Sequence, residues 1–168
     1  TEARHEDAVA LFLQKLHDDG FIYSGEYEGY YCVGCEEYKQ LDDLDTAEGG
    51  EYDGQLVCRI HSRPVEILRE KNYFFKMSQF QDALLDLYET QPDFVQPESV
   101  RNEIVQFVRQ GLADLSISRS SFDWGIKVPW DPSHVVYVWF DALLNYVTAV
   151  GYGSDEEQFT RRWPAYHL

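Results

Sequence analysis

Residues 135–146 read Val135-Val-Tyr-Val-Trp-Phe-Asp-Ala-Leu-Leu-Asn-Tyr146, an unbroken apolar run that changes into a helical spacing. The continuous apolar part, from Val135 to Trp139, predicts a strand that is buried on both faces. The residues from Phe140 to Val150 predict a helix that follows at once and ends at Gly151. A strand that runs directly into a helix is typical of the βα unit of a parallel sheet, whose ligands lie at the carboxyl ends of the strands. This stretch therefore predicts an α/β fold.

A second distinctive feature is a set of four soft metal ligands in two short turns. The turns are Cys32-Val33-Gly34-Cys35 and Cys58-Arg59-Ile60-His61, and together they use every cysteine in the chain. Each turn points two ligand side chains toward one place, and two such turns complete the tetrahedron that Zn²⁺ takes with sulfur and nitrogen ligands. Because four protein ligands leave no position for water, we predict a structural zinc ion and no metal-activated nucleophile.

Three alternatives to a zinc site in this region, a redox pair, a disulfide and a Ca²⁺ loop, fit the sequence less well. A Cys-x-x-Cys redox pair usually opens a helix, but the residues after Cys35 begin with Glu36-Glu37 and are no apolar helix start. A disulfide arrangement would always leave one of three cysteines over. The acidic stretch from Glu36 to Val57 lacks the fixed spacing of oxygen ligands that a Ca²⁺ loop needs. We therefore interpret that stretch as a solvated loop between the two ligand pairs.

Composition limits the classes of function. The 168 residues suffice for one domain or two small ones, and their formal net charge is −16. Such a charge argues against a broad nucleic-acid footprint on this chain, although contact through one small face stays compatible with it. No stretch is apolar enough to span a membrane, and no signal-peptide pattern opens the chain. Three cysteines, all expected on a metal, favour a reducing, cytoplasmic setting.

Helical spacing predicts four further helices. They are expected from about Ala8 to a stop at Gly20, from a Ser78-x-x-Gln81 capping box through Tyr88, from Glu98 to Gln110 with Val100, Ile104, Phe107 and Val108 inward, and from Asp155 to Trp163. Nothing precedes the first helix to cover its apolar face, so we expect a piece of a longer protein. We also expect His5 and His17 to be exposed, His134 to serve at a strand start, and Asp141 to be able to cap the helix after it.

Residues 135–146 closely resemble the methionine-pocket segment of the methionyl-tRNA synthetases, which are class I aminoacyl-tRNA synthetases. Further motifs resemble the same family in family order along the whole chain: Tyr27-Glu-Gly-Tyr-Tyr-Cys-Val-Gly-Cys35, Arg63-Pro-Val-Glu66, Asn72-Tyr-Phe-Phe75, Arg101-Asn-Glu103, Asp114-Leu-Ser-Ile-Ser-Arg119 and Trp124-Gly-Ile126. The resemblance implies a Rossmann-like catalytic domain that is interrupted by a zinc-knuckle connective peptide. It implies catalytic-domain pieces at 1–25 and 115–168 and the connective peptide at 26–114.

The resemblance also assigns binding residues. It places the zinc ligands at Cys32, Cys35, Cys58 and His61, and the methionine pocket at Trp139, Ala142, Leu143 and Tyr146. The last three pocket positions lie three, four and seven residues after Trp139 and so share one helical stripe. An aromatic wall with aliphatic neighbours suits an unbranched thioether, although without the resemblance such a stripe is typical of ordinary helix core. Many relatives have proline at the position of Leu143, which changes the shape of the pocket but not its apolar character.

The activity that the resemblance implies is that of a methionine–tRNA ligase, which activates methionine with ATP and Mg²⁺ and then esterifies tRNA. We expect that parent protein to be monomeric and cytoplasmic. The family's early His-x-Gly-His ATP signature is absent, and Lys76-Met77-Ser78 only imitates its late Lys-Met-Ser-Lys-Ser loop, because it lies after the zinc knuckle and continues Gln79-Phe80. We therefore expect no catalytic residue in this chain and no activity of the chain alone. The alternative is a stand-alone zinc-knuckle module that binds RNA or protein.

Overall fold

The computed structural model describes residues 2–35, 37–121 and 123–164. Its helices are α1 (Ala3–Asp18), α2 (Gln81–Thr90), α3 (Glu98–Arg109), α4 (Val138–Ala149) and α5 (Glu156–Arg162), with 3-10 turns at Leu41–Asp43 and Met77–Phe80. Its strands are β1 (Ile22–Cys32), β2 (Glu37–Lys39), β3 (Leu44–Thr46), β4 (Leu56–Cys58), β5 (Glu66–Phe75), β6 (Leu115–Ser116), β7 (Ser118–Arg119), β8 (Lys127–Val128) and β9 (Asp131–Val136). This mixture of helices and strands confirms the predicted α/β class.

The chain forms two compact units. One consists of Gly25–Lys71, and the other of Thr1–Ser24 with Asn72–Leu168. The boundaries 1–25, 26–114 and 115–168 come from the family resemblance and stay a prediction. Among the described residues, no helix combines the length and the apolar character needed to cross a membrane.

The strands pair in three sheets, with the orders β2-β1-β5-β6, β3-β4 and β7-β9-β8. The predicted parallel pairing around β9 is wrong for the described residues. β9 runs antiparallel to β7, with Ser118 opposite Val136, and antiparallel to β8, with Lys127 opposite Val135. Its partners are close in sequence, and short connections of this kind allow only antiparallel pairing, whereas a parallel partner needs a long crossover.

The strand-to-helix passage that was predicted is present, but it begins earlier than expected. β9 ends at Val136, the Tyr137 carbonyl accepts the first helical hydrogen bonds, and α4 starts at Val138. Val135 and Val136 are buried, as an inner strand requires. Trp139 therefore belongs to the first turn of the helix and not to the strand.

The core of the larger unit lies between α1, α4 and the short strands. Its buried members are Val9, Leu13, Ile22, Ile117, Val128, Val136, Phe140 and Leu144. Each large aliphatic side chain that leaves water in such a cluster contributes about 2 kcal/mol to stability. α1 ends as its sequence predicts: Gly20 has a φ of 79°, and the Phe21 amide donates to the Leu16 carbonyl in a Schellman arrangement. This core fixes α1 against α4.

The helix predicted from Ser78 starts differently. A 3-10 turn covers Met77–Phe80, and the Ser78 hydroxyl donates to Asp114 at 2.6 Å instead of capping α2. The capping-box prediction is therefore wrong, because a carboxylate distant in sequence is the better partner for that hydroxyl. The Ser78 hydrogen bond is the main cause that lowers the pKa of Asp114 below its usual value. In α3, Val108 is buried as predicted, but Val100 and Phe107, also predicted to point inward, are exposed.

Candidate metal centre and apolar stripe

Two turns, each held by a strand end, carry the four predicted metal ligands. Cys32 ends β1, where it lies opposite Glu37 of β2, and Cys35 lies in the turn between these strands. Cys58 ends β4, where it lies opposite Leu44 of β3. In the turn after it, the Ser62 amide donates to the Cys58 carbonyl at 2.7 Å. The sheet pairings thus bring each pair of ligands to the end of a strand.

The four ligand atoms lie within 4.8 Å of one another. The Sγ atoms of Cys35 and Cys58 are 3.7 Å apart, and His61 Nδ1 lies 3.7 Å from Cys32 Sγ and 3.2 Å from Cys35 Sγ. A tetrahedral zinc ion with Zn–S bonds of about 2.3 Å separates two sulfur ligands by about 3.8 Å, and a sulfur and a nitrogen ligand by slightly less. The donor set and its spacing therefore fit zinc, bound through Nδ1 of the histidine.

Electrostatics favour metal binding at Cys58. Burial would raise the pKa of this thiol, but hydrogen bonds from the His61 and Ile60 backbone amides and from the His61 side chain outweigh it and lower the pKa to about 6. The thiolate is the form that ligates metal. The pKa of the Cys35 thiol is raised, mainly because of burial. The hydrogen bonds to Cys58 thus favour its thiolate form, the form that binds a metal ion.

Gly34 leaves the space that the His61 ring occupies. A Cβ atom at position 34 would lie 2.9 Å from His61 Cγ and 3.1 Å from Nδ1. We expect Gly34→Ala to push the ring away from the ligand position and to weaken zinc binding about 10- to 100-fold, the range typical when the support of a metal ligand is lost. Competition with a chromogenic chelator measures this affinity.

Val33→Ala is the matched control for that variant, because Val33 lies in the same turn with an exposed side chain. It should bind zinc like the unchanged protein. Equal zinc affinity in the Gly34 and Val33 variants would show that the ring position does not depend on Gly34.

The predicted pocket residues lie on one side of α4. Trp139, Leu143 and Tyr146 are 68%, 64% and 71% exposed, and Ala142 is half-buried. Phe140, Leu144 and Thr148 point the other way and are buried. The stripe is therefore not part of the core that the described residues form. Large apolar side chains grouped on one exposed face are typical of a binding surface.

Sequence reasoning missed a buried polar contact beside this stripe. His5, predicted to be exposed, is only 7% exposed; its Nε2 lies 2.7 Å from Asp141 Oδ1, and its Nδ1 lies 3.0 Å from Thr148 Oγ1. Asp141 does not cap α4. A signal was present, since His5, Ala8, Val9 and Phe12 follow the spacing of one helix face, which places the histidine on the apolar side of α1.

His17 and His134 are also partly or fully buried. His17 is half-buried, and its ring stacks on Trp130 with 4.2 Å between the ring centroids. His134 is buried within β9, where its Nδ1 lies 3.1 Å from the Ser118 hydroxyl oxygen. The Ser118 oxygen also accepts the Tyr73 amide hydrogen, and Ser118 is fully buried. This serine–histidine pair is therefore structural and offers no accessible nucleophile.

Comparison with known proteins identifies the family of the chain. A family model described as tRNA synthetases class I (M) matches residues 48–168. The chain therefore belongs to this family of class I tRNA synthetases, and the resemblance seen in its motifs is confirmed.

Two curated relatives are methionine–tRNA ligases. That of Streptomyces coelicolor is 62% identical over 98% of this chain, and that of Caldanaerobacter subterraneus is 51% identical over 98% of it. A crystal structure of Mycobacterium tuberculosis methionyl-tRNA synthetase bound by methionyl-adenylate is 42% identical over 98% of the chain, with a TM-score of 0.79. The chain spans only 30%, 25% and 32% of these three proteins.

Proposed function

We propose that this chain is a segment of a methionine–tRNA ligase, to which it contributes a structural zinc knuckle and part of the methionine pocket. The observation that carries the proposal is the apolar stripe on α4. Its residues Trp139, Leu143 and Tyr146 are exposed on one side of the helix that follows the buried end of β9, and large apolar side chains grouped in this way are typical of a binding surface. The chain is similar to methionine–tRNA ligases, and the apolar side chain of methionine is a suitable ligand for this surface.

The chemistry of the stripe suits a methionine side chain. The Trp139 ring offers an apolar face, and a sulfur atom beside an aromatic ring gains about 0.3–1.5 kcal/mol beyond ordinary packing. The small Ala142 side chain leaves room at the centre of the stripe, while Leu143 and Tyr146 extend it along the helix. These four residues would bind and orient the amino acid, and the chemical step would be carried out elsewhere in the protein.

Zinc has a supporting role in this proposal. Cys32, Cys35, Cys58 and His61 would fill all four positions of a tetrahedral ion, so that no position is left for a reacting water molecule. The ion would instead join two turns of Gly25–Lys71, one of which follows the three-residue pairing of β3 with β4, too short to be stable alone. Zinc therefore stabilises the connective peptide and does not act on the substrate.

The remaining assignments belong to the same proposal. The parent protein would bind ATP and Mg²⁺ through residues outside this chain, act on the acceptor end of tRNA as a monomer, and reside in the cytoplasm. Cys32, Cys35 and Cys58 form no disulfide bonds, as is usual for metal-binding cysteines in a reducing compartment. Residues 26–114 would form the connective peptide, and residues 1–25 and 115–168 would belong to the catalytic domain. The described residues give no support to the alternative of a stand-alone zinc-knuckle module.

Methionine-dependent exchange of pyrophosphate into ATP tests this function. The full-length protein that contains this chain is expected to catalyse the exchange with methionine and not with leucine, because an unbranched thioether fits the stripe. The 168-residue chain alone is expected to show none, since the groups that position ATP lie outside it. Lack of exchange by the full-length protein, or exchange by the isolated chain, would contradict the proposal.

A further inference from the structure

A buried histidine joins α1 to the first turn of α4. His5 lies in α1, and its side chain is 8% exposed. Its Nε2–H donates to Asp141 Oδ1 over 2.7 Å, and its Nδ1 lies 3.0 Å from the Thr148 hydroxyl oxygen. Both ring nitrogens therefore have partners on the same helix, one near its start and one near its end. A ring held at both nitrogens fixes the rotation of α4 about its own axis.

Asp141 connects this contact to the apolar stripe. It lies between Trp139 and Ala142 along the chain, in the first turn of α4. Its carboxylate is only 24% exposed, so a partner that satisfies its charge is worth more there than at an open surface. The other side of the same turn is held by Phe140, whose ring packs against Phe12 of α1. The turn that carries Trp139 is thus held by an apolar contact on one side and by the His5–Asp141 hydrogen bond on the other.

The surroundings leave His5 as the specific partner of Asp141. The nearby Arg4 is exposed and paired with Glu2 at 3.2 Å. Arg4, His5, Asp141 and Asn145 line a cavity of about 420 Å³ between the start of α1 and α4. Water that enters this cavity would compete for the carboxylate if the histidine were lost, and the turn would then be free to shift.

We propose that His5 is a positioning residue for the methionine pocket: it holds Asp141, and through it the turn of α4 that carries Trp139 and Ala142. This inference rests on the proposed function of the stripe. His5 lies behind the stripe and acts through Asp141, so it is not a catalytic residue. A shift of the turn by about 1 Å would misplace the aromatic wall, and misplacement on that scale is enough to change binding or rate strongly.

Steady-state pyrophosphate exchange by the full-length protein tests this role. His5→Ala is expected to raise the KM for methionine about 10-fold while the KM for ATP stays within about 2-fold. His5→Gln places a side-chain N–H near the position of Nε2, so it should restore the KM for methionine to within about 3-fold. Should His5→Ala fail to fold, His5→Leu serves the same purpose, because it fills the space and cannot bond to Asp141.

Val9→Ala separates positioning from stability. Val9 is fully buried on the same face of α1, so its truncation should lower Tm at least as much as His5→Ala and leave the KM for methionine unchanged. An unchanged KM in His5→Ala, an equal rise in Val9→Ala, or no restoration by His5→Gln would each overturn the inference. If the unaltered protein itself lacked methionine-dependent exchange, the proposed function would fail first, and this inference with it.

Discussion

Cys58→Ser in the full-length protein is expected to reduce bound zinc from about one ion per chain to almost none. Cys58 is fully buried at the end of β4, and its thiol has the pKa of about 6 that favours the thiolate. A serine hydroxyl does not ionise at neutral pH and is a poor zinc ligand, so three ligands would remain. Structural zinc sites of this kind contribute about 10–16 kcal/mol of apparent binding free energy in small peptides, which makes the loss of a ligand severe.

The structural consequence should be local to the smaller unit. β3 and β4 pair over only three residues each, and one of these pairs is Leu44 with Cys58. Without the ion, strands so short are not stable in water. Amide hydrogen exchange should therefore become much faster within Gly25–Lys71, whereas the core around Val9 and Leu13 should keep its protection.

Ile60→Ser is the matched control for Cys58→Ser. It places the same new side chain in the same turn, but Ile60 is 72% exposed and is not a ligand. Zinc measured by elemental analysis should be stoichiometric in this variant, and its exchange pattern should match that of the unaltered protein. Normal zinc content in Cys58→Ser would show that the proposed metal centre is wrong.

The clustering of the four proposed metal ligands could be predicted from the sequence because its information is local. Cys-x-x-Cys and Cys-x-x-His each form within four residues, so their spacing already determines that two ligands converge in each turn. Only the distance between the two turns depends on the fold. The sequence contains no other cysteines, so no other pair of turns could supply the ligands. The same locality explains why α1, α3 and α5 form and end where their sequence signals predict.

The errors fall where the outcome depends on residues distant in sequence. Val135 and Val136 have the composition of a buried strand, but nothing in that run indicates that its partners are the short strands β7 and β8. Ser78 has the spacing of a helix cap, but its hydroxyl donates to Asp114, 36 residues away. Local propensity cannot include a partner that only the tertiary fold supplies.

His5 is an error of the same origin that the helical pattern could have prevented. Its spacing relative to Ala8 and Val9 indicated a buried position, but a polar residue near a helix start is usually solvated. In the fold, the His5 ring forms hydrogen bonds to Asp141 and Thr148, which are 136 and 143 residues away. These bonds offset the cost of burying a polar ring. Helical periodicity was the better guide at this position than side-chain polarity.

The stripe on α4 leads to the second large expected effect. Trp139→Ala in the full-length protein should raise the KM for methionine about 100-fold, with little change in the KM for ATP. The loss of an indole wall would remove apolar burial and the sulfur–aromatic contact, about 2–3 kcal/mol together, and each 1.4 kcal/mol corresponds to a factor of ten. Methionine titration in the pyrophosphate-exchange assay measures the change.

Val138→Ala is the control for Trp139→Ala, because it shows what the loss of an exposed apolar side chain outside the stripe does to the KM for methionine. Val138 is the neighbour of Trp139 and is also exposed, at 56%, but it lies outside the predicted stripe. Both substitutions should leave Tm within about 2 °C of the unaltered protein, because neither side chain belongs to the core of the described residues. If Trp139→Ala raised the KM no more than Val138→Ala, the stripe would not be the methionine pocket. A rise confined to Trp139→Ala, at constant Tm, is the result that a direct contact between the indole and the amino acid predicts.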